Sequence, residues 1–220
     1  MRNLSAVLLL CGLAACQSVG TDIAPASKVE YTGKLPQPSP FKLQRMSDGG
    51  AYVHRYTGLV LPERLGELKR EDIAISTENA DDVAGNYKIP GRQDFVGTAM
   101  VFPIWNVVER PLSVSDVPAA CEDAYRDARE VARQRLTNPH IVKEEAIAAP
   151  RFKDAVFTRV LVYEADGGTN LSDLPIRSEL YWQCGIDKVW VVLHRISYLQ
   201  GVPDADRLTS AVVEGAPKQP

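Results

Sequence analysis

The most apolar strand pattern in the chain runs from Lys188 to Tyr198. Val189, Val191 and Leu193 fall on one side of it and Trp190, Val192, Ile196 and Tyr198 on the other. A strand apolar on both sides belongs in the middle of a sheet whose two faces are covered. Ser178 to Cys184 precedes it across the turn Gly185-Ile186-Asp187, giving a hairpin, and Ala155 to Glu164 supplies a third C-terminal strand. Upstream, Asp72 to Thr77, Val83 to Ile89 and Phe95 to Ile104 read as strands. Phe41 to Met46 and Ala51 to Tyr56 read as a hairpin around Ser47-Asp48-Gly49-Gly50.

Helical spacing is clearest from Pro118 to Leu136. Cys121, Ala124, Tyr125, Ala128, Val131, Ala132 and Leu136 recur every three or four residues. Ser115 or Asp116 is placed to cap this helix, Pro118 pre-sets its first turn, and Asn138-Pro139 stops it. Its outer face carries Glu122, Arg126, Arg129, Glu130 and Arg133, with Glu122 and Arg126 at the favourable i,i+4 spacing, and reads as a solvated surface. A short helix is expected over Pro62 to Lys69, with Leu65 and Leu68 inward, and a closing helix over Asp204 to Val213. Hairpin-linked strands covered on both faces imply an α+β fold, a single antiparallel sheet layered with helices.

The first forty residues fit none of these patterns. Met1 and Arg2 precede an apolar run of about ten residues, which is too short for a bilayer core needing about 20. The run ends in Leu13-Ala14-Ala15-Cys16. This stretch resembles the lipobox signal of Gram-negative bacterial lipoproteins over residues 1–16. The resemblance implies cleavage before Cys16, a diacylglyceryl group on its thiol and acylation of its amine. It also implies outer-membrane sorting, because Gln17 stands where aspartate would hold the protein in the inner membrane. Several acyl chains anchor stably, each buried methylene contributing roughly 0.8 kcal/mol. Residues 16–40, with Pro25, Pro36, Pro38 and Pro40, read as a tether with a reach of roughly 25–30 Å as a flexible coil. The expected organisation is thus a signal at 1–15, a lipidated tether at 16–40, one α+β periplasmic domain at 41–213 and a disordered tail at 214–220.

Composition narrows the function classes. Without residues 1–15 the chain keeps 24 basic and 28 acidic side chains, a formal charge of −4. That balance argues against a nucleic-acid module, which carries a basic patch. Of four cysteines, Cys11 leaves with the signal and Cys16 takes the lipid. Cys121 and Cys184 then form the expected disulfide of an exported protein, two separate buried thiols being the alternative. Closing a loop of about 60 residues would contribute roughly 4 kcal/mol.

Within 41–213 the order runs hairpin, Leu-containing helix, three strands ending in Thr98-Ala99-Met100-Val101-Phe102-Pro103, long helix, then strands through Lys188-Val189-Trp190-Val191-Val192. This order is similar to that of PsbP/Mog1-like domains, an α/β/α sandwich whose members serve as accessory and binding subunits. The resemblance implies a fold and no site residues.

Catalytic patterns are sparse. His54, His140 and His194 are scattered over a hairpin, a loop and the last strand, without zinc-ligand spacing. His194 and Cys184 could be imagined as a nucleophile pair, against a disulfide that would occupy the sulfur. Asp166-Gly167-Gly168-Thr169-Asn170 lacks the alternating oxygens of a calcium loop and reads as a connection. Glu144-Glu145 and Asp81-Asp82 read as solvated carboxylates. Trp105, at a strand end, is the candidate binding rim, since aromatics are enriched in recognition surfaces; a core role for it and for Trp182 and Trp190 is the plainer alternative. The expectation is a non-enzymatic membrane-anchored lipoprotein, without cofactor or metal, that contacts an envelope protein or cell-wall component. A small periplasmic enzyme or ligand binder with a site near Trp105 and His194 is the alternative.

Overall fold

The computed structural model describes residues 44–46, 50–75, 82–104, 113–148, 150–168 and 174–219. The expected signal, Cys16, the tether, the turn Ser47-Asp48-Gly49 and Trp105 lie outside the described residues. The fold is mixed α+β, with a large antiparallel sheet and two helices among the described residues. Its N-terminal strands are β1 (Gln44–Met46), β2 (Tyr52–Val53), β3 (Val60–Leu61), β4 (Arg64–Leu65), β5 (Leu68–Ile75), β6 (Val83–Lys88) and β7 (Phe95–Pro103). Helix α1 (Val117–Gln134) follows, then β8 (Leu136–Thr137), β9 (His140–Glu145), β10 (Phe157–Ala165), β11 (Gly167–Gly168), β12 (Ile176–Ile186), β13 (Trp190–Leu199) and helix α2 (Ala205–Gly215).

The main sheet has the order β1-β5-β6-β7-β13-β12-β10-β9, with β4 hairpinned onto β5. The doubly apolar strand β13 sits at its centre, as its pattern requires. It pairs with β7 from Trp190↔Pro103 to Tyr198↔Phe95 and with β12 from Ile176↔Leu199 to Ile186↔Trp190. Val191 and Leu193 pack in one cluster with Cys121, Tyr125, Ala128 and Ala132 of α1. Ile196 and Tyr198, of the opposite parity, pack with Ala205, Leu208 and Val212 of α2. Trp190 and Val192 join a third cluster with Leu59, Val101 and Phe152; Val189, in the turn, joins this one and not Val191.

The N-terminal third departs from expectation. β1 does not form a hairpin with the next segment; it pairs with Ile73–Ile75 of β5, while β2 pairs with β3. Pro62 to Lys69 is not a helix. Leu65 and Leu68 are register partners across a two-residue turn, and Gly66 takes φ +63° there. The three-residue spacing that suggested a helical face equally sets two leucines opposite each other in a tight hairpin. Both are buried.

Helix α1 lies where its periodicity places it, with Pro118 in the first turn, though Asp116 occupies the cap position without a side-chain cap bond. Its outer pairs are Asp123–Arg126 and Glu130–Arg133 at i,i+3, so Glu122 is not the partner of Arg126. His140 belongs to edge strand β9 and not to a loop. Gly167 and Gly168 pair with β8, and a Cβ on Gly168 would stand 2.6 Å from the Ile176 side chain. The end of the chain, expected as a disordered tail, holds fully buried Ala216, and Lys218 pairs with Val60. No helix among the described residues is long and apolar enough to cross a membrane.

Candidate functional site

Cys121 in the first turn of α1 and Cys184 near the end of β12 are disulfide-bonded, with Cα atoms 5.8 Å apart. Both are fully buried within the α1 cluster. Gly185 follows at φ +89°, where a side chain would strike Val156 and Val117. A glycine there lets the strand end turn away directly beside the bridge.

His194 does not meet that sulfur. Its register partner on β12 is Tyr181, and it lies on the parity that packs with α2. The ring is fully buried, and Nε2–H donates to the Ala216 carbonyl. Burial pushes its pKa down from 6.5 to about 4, against the opposing effect of the Ala216 carbonyl, so the imidazole is neutral near pH 7. A neutral ring that holds the carbonyl just beyond α2 is a structural clamp.

The other histidines divide between core and surface. His54 is fully buried; its Nδ1 accepts the Thr57 hydroxyl at 2.8 Å, and its ring meets Trp190 edge-on at 4.9 Å. Tyr56 stacks on Trp190 at 5.7 Å, and the Arg55 guanidinium lies 5.3 Å from the Tyr56 ring centre. Trp182 and Trp190 are therefore core residues. His140 is exposed, 3.5 Å from Glu164. Glu144 is not merely solvated: it accepts the Tyr125 hydroxyl at 2.9 Å and pairs with Arg129 at 3.2 Å.

A polar network missed from the sequence crosses the C-terminal strands. Buried Glu179 accepts Tyr198 Oη at 2.6 Å, Tyr181 Oη at 2.8 Å and Arg177 Nε at 3.0 Å. Arg177 continues to Glu164 at 3.2 Å. Burial, then the carboxylate, pushes both tyrosine hydroxyls above their ordinary range. Three donors, one of them cationic, hold this carboxylate in place. Its sequence signal was a glutamate on the same strand face as Tyr181, inside the apolar run Ser178-Glu179-Leu180-Tyr181-Trp182.

At the other side of the sheet two shallow depressions of about 410 and 380 Å³ adjoin, sharing Glu71, Lys88 and Pro90. Their walls come from the β5 and β6 strands and the turn Ile89-Pro90-Gly91-Arg92, in which Gly91 adopts φ +82°. The rim is polar and mostly cationic, with Lys69 and Arg70 on one depression and Arg92 on the other. Among the described residues no group of three or more His, Cys, Asp or Glu side chains is placed to hold a metal ion. No family model matches the chain, and no curated protein matches it.

Proposed function

We propose that this protein is an exported lipoprotein, acylated at Cys16 and held by its lipid on the periplasmic face of the outer membrane. Its folded domain serves there as a non-enzymatic binding or accessory module for an envelope protein or cell-wall component. The observation that carries the reading is the closed Cys121–Cys184 bridge, because buried disulfides belong to exported domains and not to reducing compartments. The apolar run and Leu13-Ala14-Ala15-Cys16 support the anchor, and the proline-rich residues 17–40 support a spacer between lipid and domain. Trp105, next to buried Ile104 at the end of β7, is the proposed contact rim.

The layering belongs to the same proposal. Clusters of opposite parity on β13, one with α1 and one with α2, support an α/β/α sandwich of the PsbP/Mog1-like kind. Intact mass of the membrane-fraction protein tests the anchor and the bridge together. The expected mass is that of Cys16 to Pro220 plus a diacylglyceryl and an acyl group, with two cysteines alkylated only after reduction. An unprocessed mass, or cysteines labelled without reduction, overturns the reading. Crosslinking in cells tests the adaptor role, and capture of lipid alone counts against it.

A further inference from the structure

Three cations stand side by side on adjacent strands. Arg64 of β4 is the register partner of Lys69 on β5, and Lys69 is the partner of Lys88 on β6. Register partners of antiparallel strands project to one face with Cβ atoms about 5 Å apart, so the row spans about 10 Å. Lys88 pairs with Glu71 at 2.9 Å. Arg64 and Lys69 are exposed, with no acidic partner among the described residues. Elsewhere arginines meet carboxylates: Arg92 with Asp94 and Asp204, Arg177 with Glu164 and Glu179, Arg207 with Glu67 and Asp204.

Like charges directly opposite each other destabilise a sheet, and here two such pairs follow in sequence. The row borders the two depressions, and Lys69 and Lys88 line them. Arg70, bonded to the Gly50 carbonyl at 2.7 Å and to the Leu61 carbonyl, adds positive potential. Against Glu71, the three row cations leave a net two positive charges. A diphosphate, or two neighbouring phosphodiester headgroups, would neutralise that charge.

We propose that the Arg64–Lys69–Lys88 row and its depressions bind a phosphate-bearing anion carrying at least two negative charges. Lys69 and Lys88 act as point charges on the phosphate oxygens, and Arg64 offers its planar fork at the open end. The proposal stands whether or not Cys16 is acylated. It is tested on the full-length protein at low salt, by calorimetric titration with inorganic pyrophosphate and by flotation with phosphatidylcholine vesicles made with or without phosphatidylglycerol. A lipid anchor contributes equally to both vesicle types, so their difference isolates the row. Saturable binding is expected, weakened about tenfold or more by Arg64→Gln/Lys69→Gln/Lys88→Gln. The control Lys143→Gln/Lys153→Gln/Lys188→Gln, which removes the same charge elsewhere, should bind as the parent does. Pyrophosphate binding without vesicle preference identifies a free phosphate ligand, and vesicle preference alone identifies a headgroup. Absence of both, or equal weakening by the control, overturns the proposal.

Discussion

The two helices of this domain are held to one sheet by different means. Helix α1 is fastened covalently, its first turn bonded through Cys121 to the end of β12. Helix α2 is fastened by shape and polar contacts. Val212 settles against Gly97, where a Cβ would lie 2.7 Å from a valine methyl. Arg92 grips Asp204 before the helix at 2.9 Å, Arg151 donates to the Val213 carbonyl at 3.1 Å, and His194 holds Ala216 beyond its end. A bridge constrains the unfolded chain and is indifferent to pH, whereas the His194 ring is buried where protonation is costly. The two attachments should therefore fail under different conditions.

The largest effect is expected at the α1 attachment. Cys121→Ala/Cys184→Ala should cost about 4 kcal/mol, for a bridge whose cysteines are 63 residues apart. For a domain of this size that is a fall in Tm of roughly 8–16 °C. Thermal unfolding with and without reductant checks it, and a fall below about 3 °C would mean that packing, not the bond, holds α1.

Acid should find the α2 attachment first. The folded-state pKa of His194, about 4, lies below the 6.5 of the free group. As pH falls the unfolded chain takes up the proton first. The stability tied to neutral His194 is complete above about pH 6.5, declines between 6.5 and 4, and is gone below. For a fully buried ring the loss is about 3 kcal/mol. Denaturant midpoints at pH 7 and pH 4.5 should show this decline in the parent. His194→Leu should be less stable at pH 7, because it strands the buried Ala216 carbonyl, and should decline less on acidification. An unchanged pH slope in that variant would remove His194 from the account.

Gly97→Ala is the next step down. The added methyl would meet the Val212 side chain at a separation that real contacts essentially never show, so Val212 or the backbone that carries it must give way. Overpacking of this kind costs about 1–3 kcal/mol. Urea unfolding should show that loss with the m-value unchanged, and relief by Val212→Ala in the double variant would tie it to this contact.

How much of this was legible in the sequence follows from what each signal constrains. Central β13 and α1 were legible because long segments leave one reading that fits: a run apolar on both faces over Trp190 to Leu199, and three-four spacing from Cys121 to Ala132. The bridge followed from counting cysteines. The short N-terminal elements were not legible, since Leu65 and Leu68 satisfy both a helical face and a two-residue hairpin, and only the pairing of β4 and β5 with the rest of the sheet decides between them. Likewise the polar residues that matter act across strands. Glu179 is joined by Tyr198, nineteen positions away, and Lys69 by Lys88. A single strand read alone shows which face a residue takes, but not which residue stands opposite.

The cation row provides the smallest prediction, and it separates cost from use. If Arg64, Lys69 and Lys88 repel one another, Lys69→Gln should stabilise the ligand-free protein by a few tenths of a kcal/mol, since Lys69 sits between the other two. The gain should be measurable as a rise in urea midpoint at low salt and should shrink toward zero at about 1 M salt, where the screening length is about 3 Å. A single substitution that raises stability while weakening pyrophosphate binding would mark the row as retained for its ligand. If stability stays level at both salts, the flexible lysine stems hold their charges apart, and the repulsion invoked for the row does not exist. The anion site would then rest on the depressions and their net charge alone.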